Sequence, residues 1–487
     1  MLISLYTSRV ILDALGVEDY GIYNVVGGFV AMFTILCGSM STAISRFITF
    51  ELGRKESNRL LSIFSTSVTI QLLIAVLVTI IAEFVGVWFL NTKMVIPENR
   101  LFAANWVYQF SIITFVINII SVPYNAAIIA HERMSAFAYI SIYEGVTRLL
   151  LALIIAYSTF DRLIFFSFCI ATIQLSIRFI YGIYCKRHFE ECTYHFVFEK
   201  KLFREILGFA GWTFIGSSAI HLRDQGGNIL INLFFGPAVN AARGVAMKVN
   251  LVVQQFVSNF MMALNPQITK NYASGNYDYM FNLMFLGARF SFYLLLIISL
   301  PLLINTEYIL NLWLKEVPEY TSIFAKLFLI LAMSDCLSNP IITAQSATGK
   351  IRNYQIVVGG MFLMNLPIVY ILFKMGFHPA VSVVVAIIIS QICLFLRLIM
   401  FKKNVEFSIW YYIRYVYINV MFVFIVALIP PIIVNLYIPT TFLTFVMVSI
   451  VSLLSAVISI GFIGCSSVER SLLYKKIRFV IEKYLKK

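Results

Sequence analysis

The chain has 487 residues, of which 60% are hydrophobic and 12% are charged, and its formal net charge is +14. Soluble domains carry about 25% charged residues, so this composition excludes an ordinary soluble fold. The apolar segments are continuous rather than alternating, which excludes a transmembrane β-barrel. Because backbone polar groups must be satisfied internally in lipid, the sequence predicts an all-α polytopic membrane protein.

Apolar segments of about 20 residues are what one helix needs to cross about 30 Å of hydrocarbon. Thirteen such segments follow an apolar fragment, residues 1–13, which is too short to cross and lacks the charged start and cleavage site of a signal peptide. We therefore predict about fourteen spans, of which the first is truncated. In chain order they are 1–13, 21–45, 60–90, 104–130, 137–158, 162–185, 204–235, 239–264, 280–305, 320–345, 353–375, 379–401, 411–434 and 440–465.

Lys and Arg are distributed unequally between alternate loops of this map. The loops after even-numbered spans hold 21 of them together with the C-terminal tail, whereas the opposite loops hold five. Since Lys and Arg concentrate on the cytoplasmic side, the first set and the C-terminus are predicted to be cytoplasmic. The net positive charge follows mostly from this distribution and does not indicate binding to nucleic acid.

Landmarks recur in the same order in the two halves of residues 1–401. Gly16 matches Gly236, Pro123 matches Pro340, and the offset between five matched landmarks stays between 217 and 225. Six spans per half means that both halves enter the membrane from the same side. We therefore predict two six-helix lobes in parallel repeat, followed by two further C-terminal helices, with the substrate site between the lobes near the midplane.

The span map also defines the predicted domains, and it leaves no extramembrane segment long enough for an enzyme domain. The domains are an N-terminal lobe at 1–185, a cytoplasmic linker at 186–203, a C-terminal lobe at 204–401, two extra spans within 402–465 and a basic amphipathic cytoplasmic tail at 466–487. The tail is expected to lie on anionic lipid or to be a plain solvated helix.

The seven cysteines are scattered without metal-ligand spacing, and motifs for zinc, haem or a phosphate loop are absent. We expect no cofactor, no metal and no catalytic residue.

Charged side chains within predicted spans cost about 3 kcal/mol or more at a helix centre, so each needs an explanation. Basic residues outnumber acids among them, which favours a cavity for an anion because Arg binds phosphate oxygens in pairs. The predicted substrate-binding residues are Arg223, Arg148, Lys248, Arg178, Arg289 and Gln225. Asp224 and Asp335 are predicted either to couple a cation or proton or to be counter-ions of the arginines.

Each of these residues also has a structural interpretation. Arg223 lies mid-span in the polar segment HLRDQGGN, and it could instead pair with an acid on a neighbouring helix. Arg148 follows Glu144 by four residues, which places the two on one helix face as an ion pair. Arg178 and Arg289 lie in the cytoplasmic thirds of their spans, where they could line the inner mouth or extend to the interface.

Six short motifs are spread in order over nearly all of the chain. They are LGVEDYGIYNVVGG, SRFITFELG, GFAGWTFIG, FFGPAVNAARGVA, LNPQITKNYASG and QSATGK. In this order they resemble the polysaccharide exporter and lipid-linked oligosaccharide flippase branch of the multidrug/oligosaccharidyl-lipid/polysaccharide exporter superfamily. The resemblance implies two six-helix lobes around a central cavity, alternating access, and an undecaprenyl-pyrophosphate-linked oligosaccharide as substrate. The shortened first span departs from the family pattern.

Three functions are compatible with these features. The leading one is a flippase that moves a lipid-linked oligosaccharide or polysaccharide precursor across the bacterial inner (cytoplasmic) membrane, with membrane lipids and other polysaccharide-assembly proteins as partners. The second is a cation-coupled multidrug exporter of the same superfamily, although a site for cationic drugs should be rich in acids. The third is a membrane-embedded polymerase or ligase. Such enzymes usually need a large external loop, and the longest one here, near 91–103, is short.

Overall fold

Helices joined by short turns make up most of the computed structural model, which describes residues 2–31, 33–54, 57–92, 94, 96–155, 158–196, 199–314, 317–437, 442–467 and 469–471. Within these residues, 11 helices are long and apolar enough to span a bilayer. The all-α prediction is thereby confirmed for the described part of the chain. The chain divides into unit 1, Met1–Ser217, and unit 2, Ser218–Lys487.

The helices are numbered in chain order. Those that begin in unit 1 are α1 (Leu2–Ala31), α2 (Thr34–Arg54), α3 (Ser57–Ile81), α4 (Val87–Thr92), α5 (Leu101–Ala130), α6 (Met134–Ile155), α7 (Arg162–His188) and α8 (Lys200–Ala273). Those of unit 2 are α9 (Tyr277–Ile304), α10 (Thr306–Trp313), α11 (Thr321–Cys336), α12 (Asn339–Ala347), α13 (Arg352–Leu363), α14 (Asn365–Lys374), α15 (Val381–Lys402), α16 (Ile409–Tyr412), α17 (Asn419–Tyr437) and α18 (Phe442–Ser459). Short π-helical turns at Ala82–Gly86, Ile413–Ile418 and Ile460–Gly464 continue neighbouring helices.

Two glycines break long helices at matched positions of the repeat. Gly16 has φ +80° and ψ 167°, and Gly236 has φ +81° and ψ 179°. This region of backbone conformation is essentially restricted to glycine. Consequently α1 and α8 are each two helices in series, and the 220-residue offset seen in the sequence corresponds to one backbone conformation that occurs twice.

From α3 onward the predicted spans agree with the observed helices to within a few residues, except that α8 continues to Ala273, nine residues beyond the predicted span 239–264. The predicted span 21–45 differs, because α1 continues to Ala31 and a turn at Phe33 separates it from α2. The apolar composition continues through this turn, so hydropathy alone does not show it. The predicted domain boundaries stay predictions, and most of the predicted tail, residues 472–487, lies outside the described residues.

One central helix organises the core of each unit. In unit 1, α5 packs against α1, α2, α3 and α7, and its buried Tyr108 donates a hydrogen bond to the carbonyl oxygen of Ala82 at 2.8 Å. In unit 2, α9 packs against α11, α12, α17 and α18. The buried Tyr412 adds a link there by donating to the carbonyl oxygen of Leu337 at 2.8 Å. Such bonds satisfy polar groups that lipid cannot solvate.

The predicted cytoplasmic linker is attached to the end of α5. His131 stacks on Phe189 with ring centroids 4.0 Å apart, and its Nε2 lies 2.5 Å from Glu191 Oε1. Burial has the largest single effect on the pKa of the Glu191 carboxyl and raises it. The hydrogen bonds from His131 and from the Glu191 backbone, together with the charge of His131, outweigh burial, so the pKa lies below its ordinary value. The carboxylate is therefore the form that fastens this part of the linker at neutral pH.

Candidate functional site

A polar cavity of about 270 Å³ lies within unit 2. Four charged residues line it, namely Arg223 and Asp224 from α8, Asp335 from α11 and Arg397 from α15. Charged groups at such a position are rare in membrane helices and usually mark a pathway or binding site. The cavity is therefore the main candidate site among the described residues of unit 2.

Three arginines at this cavity are more than nine-tenths buried, with exposed fractions of 8% for Arg223, 5% for Arg243 and 4% for Arg397. The guanidinium carbons of Arg223 and Arg397 lie 5.1 and 5.6 Å from the ring centroid of Phe362. That of Arg243 lies 5.5 Å from the centroid of Phe328. All three distances are within the range of cation–π attraction, so two aromatic rings stabilise three buried charges.

Asp224 connects two of these arginines. Arg223 Nε donates to Asp224 Oδ1 at 2.9 Å. Arg243 donates to the backbone carbonyl of Asp224 at 3.2 Å and also to the side-chain oxygen of Asn228. Arg243 does not line the cavity itself but lies directly behind this lining, because Phe328, over which it stacks, is a lining residue.

The second carboxylate of the cavity is held by hydroxyl groups. Ser390 Oγ donates to Asp335 Oδ1 at 2.5 Å, and the Ser334 and Ser390 hydroxyls are 2.8 Å apart. Arg397 Nε donates to the Tyr354 hydroxyl at 3.1 Å. Within the described residues, neither Asp335 nor Arg397 forms an ion pair shorter than 4.0 Å.

The structure brings three of the residues predicted in unit 2 to this cavity and places three others away from it. Arg223, Asp224 and Asp335 line the cavity. Lys248 and Gln225 are exposed on α8 and do not line it, and Gln225 accepts a hydrogen bond from Asn228 at 3.2 Å. Arg289 also lies elsewhere, where it pairs with Glu469 and donates to the carbonyl of Gly464 at 3.0 Å.

The two predicted arginines of unit 1 lie on separate contacts. Arg148 forms the ion pair with Glu144 that their spacing allows, at 2.6 Å, and its side chain is 45% exposed. Arg178 stacks on Tyr124, with its guanidinium carbon 3.8 Å from the ring centroid. Both arrangements account for these charges without a ligand, while their predicted contact with substrate stays a prediction.

Sequence reasoning missed Arg397 as a site residue. Its position four residues before the predicted end of span 379–401 is also typical of a side chain that extends to the interface. Its approach to Arg223 depends on the packing of α15 against neighbouring helices, which no local pattern reveals. Arg243 lies near the start of the predicted span 239–264, and its proximity to Asp224 is likewise not visible in the sequence.

Unit 1 contains a cavity of different character. Its volume is about 340 Å³, and it is lined by Tyr23, Gly27, Val30, Thr34, Phe110, Ser111, Thr114, Phe115, Asn118, Ser167 and Ile170. None of these lining residues is ionisable at neutral pH. Neither Arg148 nor Arg178 lines this cavity. In the described part of the chain, no group of three or more His, Cys, Asp or Glu residues could hold a metal ion.

A model of the family described as polysaccharide biosynthesis protein matches residues 1–272, more than half of the chain. The chain belongs to this family. By sequence, no curated protein matches it significantly. The predicted membership in the polysaccharide exporter group is confirmed to that extent.

This polysaccharide biosynthesis family member is similar in fold to several solved membrane transporters. An outward-facing multidrug resistance MATE family transporter of the MOP superfamily matches with a TM-score of 0.72 and 12% identity, over 83% of this chain and 92% of that one. The MATE transporter ClbM in complex with Rb+ matches with a TM-score of 0.65 and 15% identity, over 85% and 94%. A MATE protein in a straight conformation matches with a TM-score of 0.71 and 11% identity, over 83% and 92%.

These similarities confirm the predicted fold class. The chain has the fold of MOP-superfamily transporters, which is built from two six-helix lobes, and it is a multi-pass membrane protein. At such low identities the similarity concerns the fold alone. Evidence on the function therefore comes from the charged cavity of unit 2.

Proposed function

We propose that this protein is a transporter that flips a lipid-linked oligosaccharide or polysaccharide precursor across the bacterial inner membrane by alternating access. Its family is one of polysaccharide biosynthesis, and its fold is one used by transporters. The observation that carries the proposal is the group of three buried arginines at and directly behind the cavity lining of unit 2, which is accompanied by two acids, Asp224 and Asp335. An undecaprenyl-pyrophosphate-linked saccharide is the anionic cargo that fits both the family and this charge.

The charges of this cavity favour anionic over cationic cargo. A cationic drug or metal ion would need a carboxylate free to bind it, but Asp224 is engaged by Arg223 and Asp335 faces a cavity that both Arg223 and Arg397 share. A cation would thus lie close to two guanidinium groups. A pyrophosphate would instead gain charge-assisted hydrogen bonds, which in a low-dielectric setting are stronger than in water.

Flipping requires no covalent chemistry from the protein. A polar head group in hydrocarbon meets a large barrier, and fixed arginines lower it by replacing part of the hydration of the phosphates. The lipid tail would remain in the bilayer throughout. A cavity of about 270 Å³ can hold a phosphate group but not a whole oligosaccharide, so Arg223 and Arg397 are proposed to act on the phosphate part only.

The test is flipping of a fluorescent undecaprenyl-pyrophosphate oligosaccharide in proteoliposomes. We expect the wild type to flip it and Arg223→Gln or Arg397→Gln to slow flipping by about tenfold or more, since hydrogen bonds to charged groups contribute about 1.5–3 kcal/mol. Lys326→Gln is the matched control, because it removes a positive charge of unit 2 that does not line the cavity.

Two outcomes would contradict this proposal. A folded wild-type protein that flips no head group under any ion gradient, but exports a cationic drug, would make the multidrug exporter the correct function. Folded Arg223→Gln and Arg397→Gln variants that flip as fast as Lys326→Gln would remove the arginines from the mechanism.

A further inference from the structure

The guanidinium ends of Arg223 and Arg397 have hydrogen-bond donors for which the described part of the chain supplies no acceptor. Each arginine uses Nε, on Asp224 and on Tyr354 respectively, whereas the described residues offer no acceptor within hydrogen-bond distance of their Nη atoms. Both side chains are more than nine-tenths buried and line the cavity. Guanidinium groups on side chains this deeply buried nearly always have an acceptor, so the nitrogens that face the cavity are placed to bind a ligand there.

Charge distinguishes an anion from water as that acceptor. Among the described residues, Arg223, Arg243 and Arg397 are grouped with two carboxylates, Asp224 and Asp335, and this group of five has a formal charge of +1 because Arg243 lies directly behind the lining. The Asp224 side chain is 31% exposed, so its charge is screened more strongly than those of the arginines. Water can accept hydrogen bonds but cannot neutralise the surplus, and an uncompensated buried charge is costly.

Size and the remaining lining restrict the anion further. About 270 Å³ accommodates an ion such as chloride together with a few waters. Asn250, Gln254 and Asn339 also line the cavity and can supply neutral amide donors. A monovalent anion brings the formal charge of this group of five residues to zero.

We infer that the cavity of unit 2 binds one small monovalent inorganic anion, of the chloride or nitrate class, at the guanidinium groups of Arg223 and Arg397. The anion completes the hydrogen bonding of these side chains and balances the surplus charge. This inference goes beyond the proposed function, because it holds whatever cargo the protein carries. The phosphate of a lipid head group would use the same nitrogens, so the anion occupies the site when that lipid is absent.

The experiment is binding of radiolabelled chloride to the purified full-length protein in detergent, free of polyprenyl lipid, in gluconate at constant ionic strength. We expect saturable binding of one chloride per chain, with competition by nitrate. Arg397→Gln removes the surplus and should weaken binding by about tenfold or more. Asp335→Asn raises the surplus and should tighten binding, whereas Lys326→Gln, which leaves the cavity intact, should bind like the wild type.

Absence of saturable binding to the folded wild type would overturn the inference, as would equal binding by Arg397→Gln and Lys326→Gln. If Arg397→Gln does not fold, Asp335→Asn decides, because a misfolded protein cannot gain affinity and an unchanged affinity would contradict the charge argument. Since no cargo is present, a negative result leaves the flippase proposal standing. Conversely, a protein that fails to flip lipid would contradict the proposed function but not the inference of chloride binding.

Discussion

At the scale of single residues, Arg289 shows how a charge within a membrane helix can be explained by partners in the same unit. It pairs with Glu469 and donates to the carbonyl of Gly464 at 3.0 Å. Next to it, the Tyr293 hydroxyl lies 2.5 Å from Asn419 Oδ1 and 3.1 Å from the carbonyl oxygen of Gly464, and it can donate its one hydrogen to either. This network joins α9 to the segment that follows α18, so a structural role accounts for Arg289 without a ligand.

The Arg289–Glu469 pair is predicted to be strongly coupled in stability. The two side chains are 12% and 17% exposed, so Glu469→Gln leaves a mostly buried guanidinium without its carboxylate and should lower the free energy of unfolding by about 3–5 kcal/mol. Replacing both residues, as Arg289→Met with Glu469→Leu, removes the charge and should recover most of this loss. Unfolding of the purified protein in mixed micelles measures both effects.

Lys326 and Glu307 provide the control pair. They are 4.0 Å apart and 41% and 77% exposed, so Lys326→Gln should change stability by about 1 kcal/mol or less. If the double variant Arg289→Met with Glu469→Leu is as unstable as Glu469→Gln alone, the ion pair between Arg289 and Glu469 is not the cause of the loss. If that double variant is stable but cannot flip lipid, Arg289 is a cargo-binding residue.

At the scale of helices, the sequence allowed the spans to be predicted but not the torsions within them. Continuous apolar composition identifies Arg352–Lys374 and Val381–Lys402 to within a few residues, because it measures what lipid requires. The breaks at Gly16 and Gly236 are local conformations, and in the sequence these glycines were visible only as repeat landmarks. Their matched φ and ψ values give the repeat a physical meaning that composition could not supply.

Gly236 is predicted to be intolerant of a side chain although it has space for one. No atom lies within 4 Å of an added Cβ, so Gly236→Ala should cost about 1–3 kcal/mol through backbone strain alone. Gly244 lies in the same helix α8 with ordinary torsions and equally open surroundings, so Gly244→Ala should be neutral or stabilise by up to about 1 kcal/mol. Thermal unfolding of the two variants separates strain from packing, and equal midpoints would contradict the strain argument.

At the scale of the whole molecule, the sequence predicts charge better than it predicts proximity. Arg223, Asp224 and Asp335 could be selected because ionisable residues within apolar segments are conspicuous. Arg397 could not, because it lies near a span end, and its approach to Phe362 depends on how α13 and α15 pack. The net sign of the cavity emerges only when residues that are far apart in sequence meet in the folded unit.

The orientation in the membrane is a further property of the whole molecule that the loop charges predict. The segment between α6 and α7 is expected outside and that between α8 and α9 in the cytoplasm, since only the latter belongs to the Lys- and Arg-rich set of loops. Thr159 and Ser274 are exposed in these two segments. Five of the native cysteines are buried and two, Cys37 and Cys169, are half-buried, so all seven are first replaced to remove background labelling.

Thr159→Cys and Ser274→Cys are then treated with a membrane-impermeant maleimide in right-side-out vesicles. We expect Thr159→Cys to be labelled at once and Ser274→Cys only after permeabilisation, because the reagent cannot cross hydrocarbon. The reverse pattern would invert the predicted orientation and place the C-terminus outside. Labelling of both in sealed vesicles would mean that an even number of spans separates the two positions, which would contradict the division of α8 at Gly236 into two membrane-crossing helices.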